Sequence, residues 1–275
     1  MRFFILSICF LSLCACSSVH HLNRKGVARI KTYHIYHKDI PQAFDQYTIA
    51  FVSDLHYKSI LQEEGLKNVV VQISKMNPDL LLLGGDYKEG VDNIDELFAY
   101  IGKIKTTDGI IGVLGNNDYE EGYHQILSAA KLNKIEILED QCDTIVRKDA
   151  QIIIVGVKNP FDHRHRSATP DASLQPEDYV VLLTHTPDYV EWAKPPFTDL
   201  ALAGHTHGGQ VTLFGLYAPY IPSQYGQRFR TGKCKTSGQT PVIVTNGIGT
   251  SRRNIRLFAP SEIVRLVLHH TEITH

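Results

Sequence analysis

The sequence predicts an α/β fold, two packed mixed β-sheets flanked by helices in an α/β/β/α sandwich, and two observations predict it. In the first half, short apolar runs ending in polar residues alternate with amphipathic stretches, the βαβ signature of a parallel sheet. In the second half, further apolar runs follow with fewer and shorter helical patterns between them, as a second sheet packed on the first requires. A chain of 275 residues, 43% of them hydrophobic, is long enough to bury such a core as one domain.

In chain order, residues 1–19 read as a signal peptide or membrane anchor, 20–46 as a tether, and 47–270 as the catalytic domain. Arg2 precedes an uncharged apolar run over 3–13 that has the length of a signal-peptide core and is too short to span a bilayer. The run ends in Leu13-Cys14-Ala15-Cys16-Ser17, which resembles the lipobox of a bacterial lipoprotein precursor, with Cys16 as the lipidated residue. The competing expectation is an uncleaved anchor through Val19. Arg24, Lys25, Arg29 and Lys31 follow the run, and only Arg2 precedes it, so the positive-inside rule would keep the domain on the cytoplasmic face. Either way the protein is expected at a membrane surface, facing the periplasm or the cytoplasm.

The stretch 26–44 is polar, rich in His and Tyr and without a sustained period, hence a tether leading to a first strand or edge. Strands are expected over 47–53, 80–84 and 109–114, with helices over 65–76 and 93–104 between them. Later strands are expected over 152–157, 179–184, 200–203 and 241–245. Acidic and basic residues nearly balance at 29 and 28, so no nucleic-acid partner is expected. Three of the five cysteines fall in the leader; whether Cys142 and Cys234 pair depends on the compartment.

The chemistry stands where the strands end. Tags of His, Asp and Asn follow the apolar runs: Asp54 and His56, then Asp86, then Asn116-Asn117-Asp118, then His185, then His205 and His207. Carboxyl ends of strands in open α/β sheets converge on one crevice, so these tags should meet. Alone, each is a turn or a hydrogen-bonded side chain. Together their carboxylates and amide oxygen suit Mn²⁺, Mg²⁺ or Fe, and the imidazoles extend the range to Zn²⁺. Seven donors exceed what one ion needs, so two divalent ions are expected, with manganese first among the candidates.

These motifs in this order resemble the calcineurin-like metallophosphoesterases: Asp-x-His, Gly-Asp, Gly-Asn-His-Asp/Glu, a lone His and Gly-His-x-His. The resemblance runs over roughly residues 47–268. It is strongest to a branch of membrane-associated bacterial phosphohydrolases that carry Ala-Gly-His-Thr-His-Gly-Gly-Gln, here Ala203 to Gln210, and a late Gly247-Ile248-Gly249-Thr250, Ile255-Arg256 and Pro260-x-Glu262-Ile263. The resemblance implies one metal on Asp54, His56, Asp86 and His207 and a second on Asp86, Asn116, His185 and His205. It implies in-line hydrolysis of a phosphate ester or anhydride, and it gives Asp118 the task of orienting a neighbouring histidine or asparagine. UDP-2,3-diacylglucosamine pyrophosphatases of lipid A synthesis are similar in motif order.

One position departs. Asn117 stands where the family usually has histidine, and an amide cannot donate a proton to a leaving group. The departure favours a phosphoanhydride or phosphodiester with a weakly basic leaving group, such as a lipid-linked nucleotide; the alternative is a catalytically weakened metal-binding protein. An exported lipoprotein phosphodiesterase or phosphomonoesterase is the expectation if Cys16 is lipidated. Arg252, Arg253 and Arg256, with the N–H groups of the loop over 247–250, are expected to hold a phosphate or nucleotide. His163-Arg164-His165-Arg166 reads as a solvated loop. The apolar stretch 213–221 either lines an acyl-chain groove or packs in the core.

Overall fold

The computed structural model describes residues 26–158, 160–161 and 174–272. Cys16, the leader and His163 to Arg166 lie outside the described residues. Among those described, two six-stranded mixed sheets pack face to face with helices on the outside, as the sequence predicts.

The first sheet holds β1 (Arg29–His37), β2 (Thr48–Val52), β3 (Leu80–Leu83), β4 (Ile110–Gly112), β5 (Ile135–Ile137) and β12 (Glu262–His270), in the order β1-β12-β2-β3-β4-β5. Strands β2 to β5 run parallel, joined by α1 (Glu63–Met76), α2 (Ile94–Ile101), α3 (Asn116–Glu120) and α4 (Tyr123–Leu132). The second sheet has the order β10-β11-β9-β8-β7-β6, from β6 (Gln141–Arg147), β7 (Ala150–Gly156), β8 (Val180–Leu183), β9 (Leu200–Ala203), β10 (Gly232–Lys235) and β11 (Pro241–Val244). A short helix, α5 (Asp188–Ala193), follows β8.

The alternation of side chains on a strand divides the core. In β3, Leu81 and Leu83 face α1, α2 and α4, joining Val69, Ile73, Phe98 and Ile126. Leu80 and Leu82 face the other way and meet Ile152, Ile154, Val181 and Leu202 of the second sheet. Strands buried on both faces read as continuous apolar runs, which is why these were visible in the sequence. Helix α1 carries Glu63 and Glu64 in its first turn and Lys75 in its last, charges that suit its dipole.

One expectation changes here, and one open question closes. Residues 29–37, read as tether, form β1, paired parallel to β12 from Arg29↔Glu262 to His37↔His270. An edge strand with one wet face shows no long apolar run, so its polar side chains hid it. Cys142 on β6 and Cys234 on β10 stand at opposite edges of the second sheet, and no disulfide joins them. No helix among the described residues is long and apolar enough to cross a membrane.

Candidate metal centre

The strands β2, β3, β4, β8 and β9 all end at one rim of the sandwich. There the chain turns sharply to point polar side chains inward. Asp54, His56, Asp86, His205 and His207 take left-handed backbone conformations, with φ between 39° and 67°. For residues with a Cβ this conformation costs about 1–2 kcal/mol each, and such strain collects at functional sites. Clearance is small as well: a Cβ on Gly204 would collide with Ser53 Oγ and Asp54 Oδ2, so only glycine lets β9 close on β2.

All seven ligand candidates converge. Asp54, His56 and His207 offer donor atoms within 4.8 Å of one another, and Asp86, His185 and His205 form a second such group. His56 Nε2 and His185 Nε2 each stand 3.4 Å from Asp86 Oδ2, and His207 Nε2 stands 3.3 Å from Asp54 Oδ1. His56 Nε2, His185 Nε2 and Asn116 Oδ1 are buried and have no hydrogen-bond partner. Buried polar atoms left unsatisfied cost about 1–3 kcal/mol each. Here the unsatisfied atoms belong to the residues that would ligate, so the donor set fits a pair of divalent cations.

The opposite edge of each ring is fixed. His185 Nδ1 donates to Gly84 O at 2.7 Å, and His56 Nδ1 donates to Glu89 Oε1 at 2.7 Å, which leaves each Nε2 facing the centre. Asn116 Nδ2 donates to Asn117 Oδ1 at 3.1 Å and so turns Asn116 Oδ1 inward. Asp54 accepts the His205 N–H on both carboxylate oxygens, at 3.1 and 3.0 Å, tying the two sheets together across the site. Asp86 accepts the Asn117 N–H at 3.0 Å and Asn117 Nδ2 at 3.2 Å.

The charges are shared tightly. Burial works against ionised Asp86, but the positive charge of nearby His185 and then of His56 and His205 outweighs it and holds the carboxyl below its usual range. Burial likewise opposes a charged His185, yet Asp86 wins and pushes it up to about 10. His205 is driven down to about 3 by burial and then by His185, and burial with neighbouring positive charge holds His207 well below its usual value. A proton on His185 would have to leave before its Nε2 could bind a metal, whereas His205 and His207 are held in the neutral form that ligation needs.

Around this floor lies a pocket of about 640 Å³ with Asn117, Gln210, Tyr220, Arg252 and Arg253 on its walls. The Arg252 guanidinium sits 5.6 Å from the Tyr220 ring centroid. Arg256 is elsewhere. It is 2% exposed and donates to the carbonyls of Gly249, His207, Ala259 and Asn246, a strut behind the site rather than a group that meets substrate. The N–H groups of Ile248, Gly249 and Thr250 are also taken, by Ser53 O, Asp54 O and Ser59 Oγ, so that loop holds the Asp54 turn and not a phosphate.

Asp118 orients neither a histidine nor an asparagine side chain. Its carboxylate accepts the N–H groups of Asp86, Tyr87 and Gly115, fixing the backbone beneath the Asp86 turn, while burial and the Asp86 charge raise it to about 6. Glu89 was invisible in the sequence, being one more acidic residue three positions past Asp86. Of the stretch 213–221, Leu213, Phe214, Leu216, Tyr217 and Tyr220 are exposed, which removes core packing as their role.

The calcineurin-like phosphoesterase profile matches residues 47–209. An uncharacterized metallophosphoesterase of Helicobacter pylori is 30% identical over 255 residues, 89% of this chain and 65% of its own, so the present chain spans just under two thirds of that relative. The uncharacterized metallophosphoesterase YkuE of Bacillus subtilis is 30% identical over 84% of this chain and 82% of its own. The phosphodiesterase YaeI of Escherichia coli is 26% identical over 81% of this chain and 82% of its own.

Proposed function

The chain belongs to the calcineurin-like phosphoesterase family, and from that premise we propose a two-metal phosphohydrolase that acts at a membrane on a phosphoanhydride or phosphodiester of a lipid-linked nucleotide, such as UDP-2,3-diacylglucosamine. The observation that carries this reading is the composition of the pocket: two triads of metal donors on the floor, arginines and a tyrosine on one wall, and an amide at Asn117 where a proton donor would stand. Divalent cations bound there would polarise phosphoryl oxygens and lower the pKa of a water.

The chain's own groups do the rest. Glu89 and Gly84 O aim the imidazoles, and Asp118 steadies the Asp86 turn. Arg252 and Arg253 offer guanidinium forks to the phosphate oxygens, and Tyr220 offers a ring face to an apolar or heterocyclic group. Asn117 donates a hydrogen bond but no proton, so leaving groups that depart as weakly basic phosphates are favoured.

A second reading, an exported phosphodiesterase of other substrate, is supported by the lipobox-like residues before Ser17 and by the relative named a phosphodiesterase. Full-length protein supplied with Mn²⁺ should cleave UDP-diacylglucosamine faster than a nitrophenyl phosphodiester. The reverse order favours the second reading, and failure on both with every divalent metal favours a binding protein.

A further inference from the structure

Thirteen large hydrophobic side chains are exposed among the described residues, and they are not spread evenly. Six lie from Val211 through Tyr220 and a seventh is Ile255; Val211 and Tyr220 line the metal pocket itself, and Ile255 follows its wall residues Arg252 and Arg253 in sequence. Phe214 is 76% exposed and Leu216 is 82% exposed. The loop is not loose. Leu213 N–H donates to Tyr217 O at 2.7 Å, Gly215 N–H donates to Thr212 Oγ1 at 3.0 Å, and Arg230 Nη2 donates to Gly215 O at 2.9 Å. Thr212 N–H donates to Leu257 O at 2.9 Å, and the Phe214 and Phe258 ring centroids stand 5.4 Å apart. A held hairpin tip that turns large apolar side chains outward marks a surface with a partner.

The charge around it selects that partner. From Leu200 through Ser261 the sequence carries seven Lys and Arg residues and no Asp or Glu, in a chain whose net charge is −1. Arg252 and Arg253, both exposed, stand beside the apolar tip, whereas Glu89 and Glu120 line the pocket with them. The described polypeptide begins against the residue that precedes β12. The N–H groups of Ala28 and Arg29 donate to Ser261 O at 3.2 and 3.1 Å, three residues past Phe258. Before Gly26 the sequence holds the apolar run over 3–13.

We propose that the hairpin tip of Leu213, Phe214, Leu216 and Tyr217, with Ile255 and the Arg252-Arg253 pair, docks on a bilayer surface bearing anionic headgroups, and that the metal pocket thereby opens at the lipid interface. Apolar side chains reach the acyl boundary while the guanidinium groups meet phosphates, the two signals that stable interfacial binding needs. The inference deepens the membrane-acting reading given above and rests on it for the substrate.

The test reads the loop itself, because the N-terminal run alone can bring the chain to lipid. Full-length Phe214→Trp protein, and Leu132→Trp protein as the reference on another exposed position, are bound to vesicles of anionic and zwitterionic lipids with brominated acyl chains. Emission from Phe214→Trp should be quenched and that from Leu132→Trp should not, with Trp192 a background common to both. Equal quenching of the two, equal quenching of Phe214→Trp in purely zwitterionic vesicles, or an emission shift that follows protein concentration without lipid would overturn the proposal, the last in favour of a second copy. In a second measurement, the Phe214→Glu, Leu216→Glu double variant should lose about tenfold or more on a vesicle-embedded phosphodiester and keep its rate on a soluble nitrophenyl phosphodiester. A double variant as fast as the parent on both would overturn it. If the parent cleaves neither substrate, the proposed activity fails while quenching still decides the docking.

Discussion

Asp86 touches more of the site than any other side chain, accepting from Asn117 and standing 3.4 Å from both His56 and His185. Asp86→Ala should therefore leave less than about a hundredth of the parent rate, since it removes the carboxylate that two divalent cations would share on the family pattern; steady-state kinetics at saturating Mn²⁺ checks this. Glu89 acts through His56, so Glu89→Gln should lower kcat or metal affinity by roughly 10–100-fold while leaving KM for substrate within about threefold. Metal titration of that variant, followed by activity, separates the two effects. Asn117 gives a third expectation. Asn117→His should raise the rate on alkyl phosphate esters relative to anhydrides by about tenfold or more, because a proton donor then faces the leaving group; unchanged relative rates would remove Asn117 as the determinant of leaving-group preference.

At the scale of elements, β1 and the contact between sheets carry the consequences. Strand β12 lies between β1 and β2, so a chain truncated to start at His37 exposes the β12 edge and should aggregate or unfold at lower temperature, whereas one starting at Gly26 should not. At the end away from the metals, Arg147 of β6 donates to Asp79 at 2.8 Å and Asp108 at 3.1 Å, residues that precede β3 and β4. Burial opposes the Asp79 charge, but the Thr48 N–H and Arg147 outweigh it and lower its pKa. A lowered folded-state pKa gives stability that is present above the unfolded value and lost as pH falls through the folded one. Arg147→Ala should thus cost about 1–2 kcal/mol in urea unfolding at neutral pH, and the difference from the parent should shrink below about pH 4.

How far these elements were legible follows from which side chains they expose. The central strands of both sheets are buried on two faces and announce themselves as apolar runs, and the candidate donors stand two to four residues past them, so the donors could be read with their strands. Strand β1 keeps a polar face and pairs with β12 across more than two hundred positions, and no local period reveals that. Burial of Arg256 was hidden for a related reason: a guanidinium satisfied by carbonyls from Asn246, Gly249 and His207 looks in sequence like one offered to phosphate.

For the molecule as a whole, the metal donors come from both sheets, and Asp54 and His205 hold the sheets to each other. Removing cations with a chelator should lower the melting temperature by several degrees, and returning Mn²⁺ should restore it in proportion to the logarithm of its concentration. Calorimetry with and without chelator gives the answer. The two thiols of the domain complete the account. With β6 and β10 at opposite edges of a six-stranded sheet, Cys142 and Cys234 are separated by five strand spacings, roughly 24 Å. Burial also raises the Cys234 thiol to about 11, which leaves it a poor nucleophile. The native state therefore asks nothing of the redox surroundings: the same fold forms with glutathione present or with oxidant present, and melting curves recorded with and without reductant should superimpose.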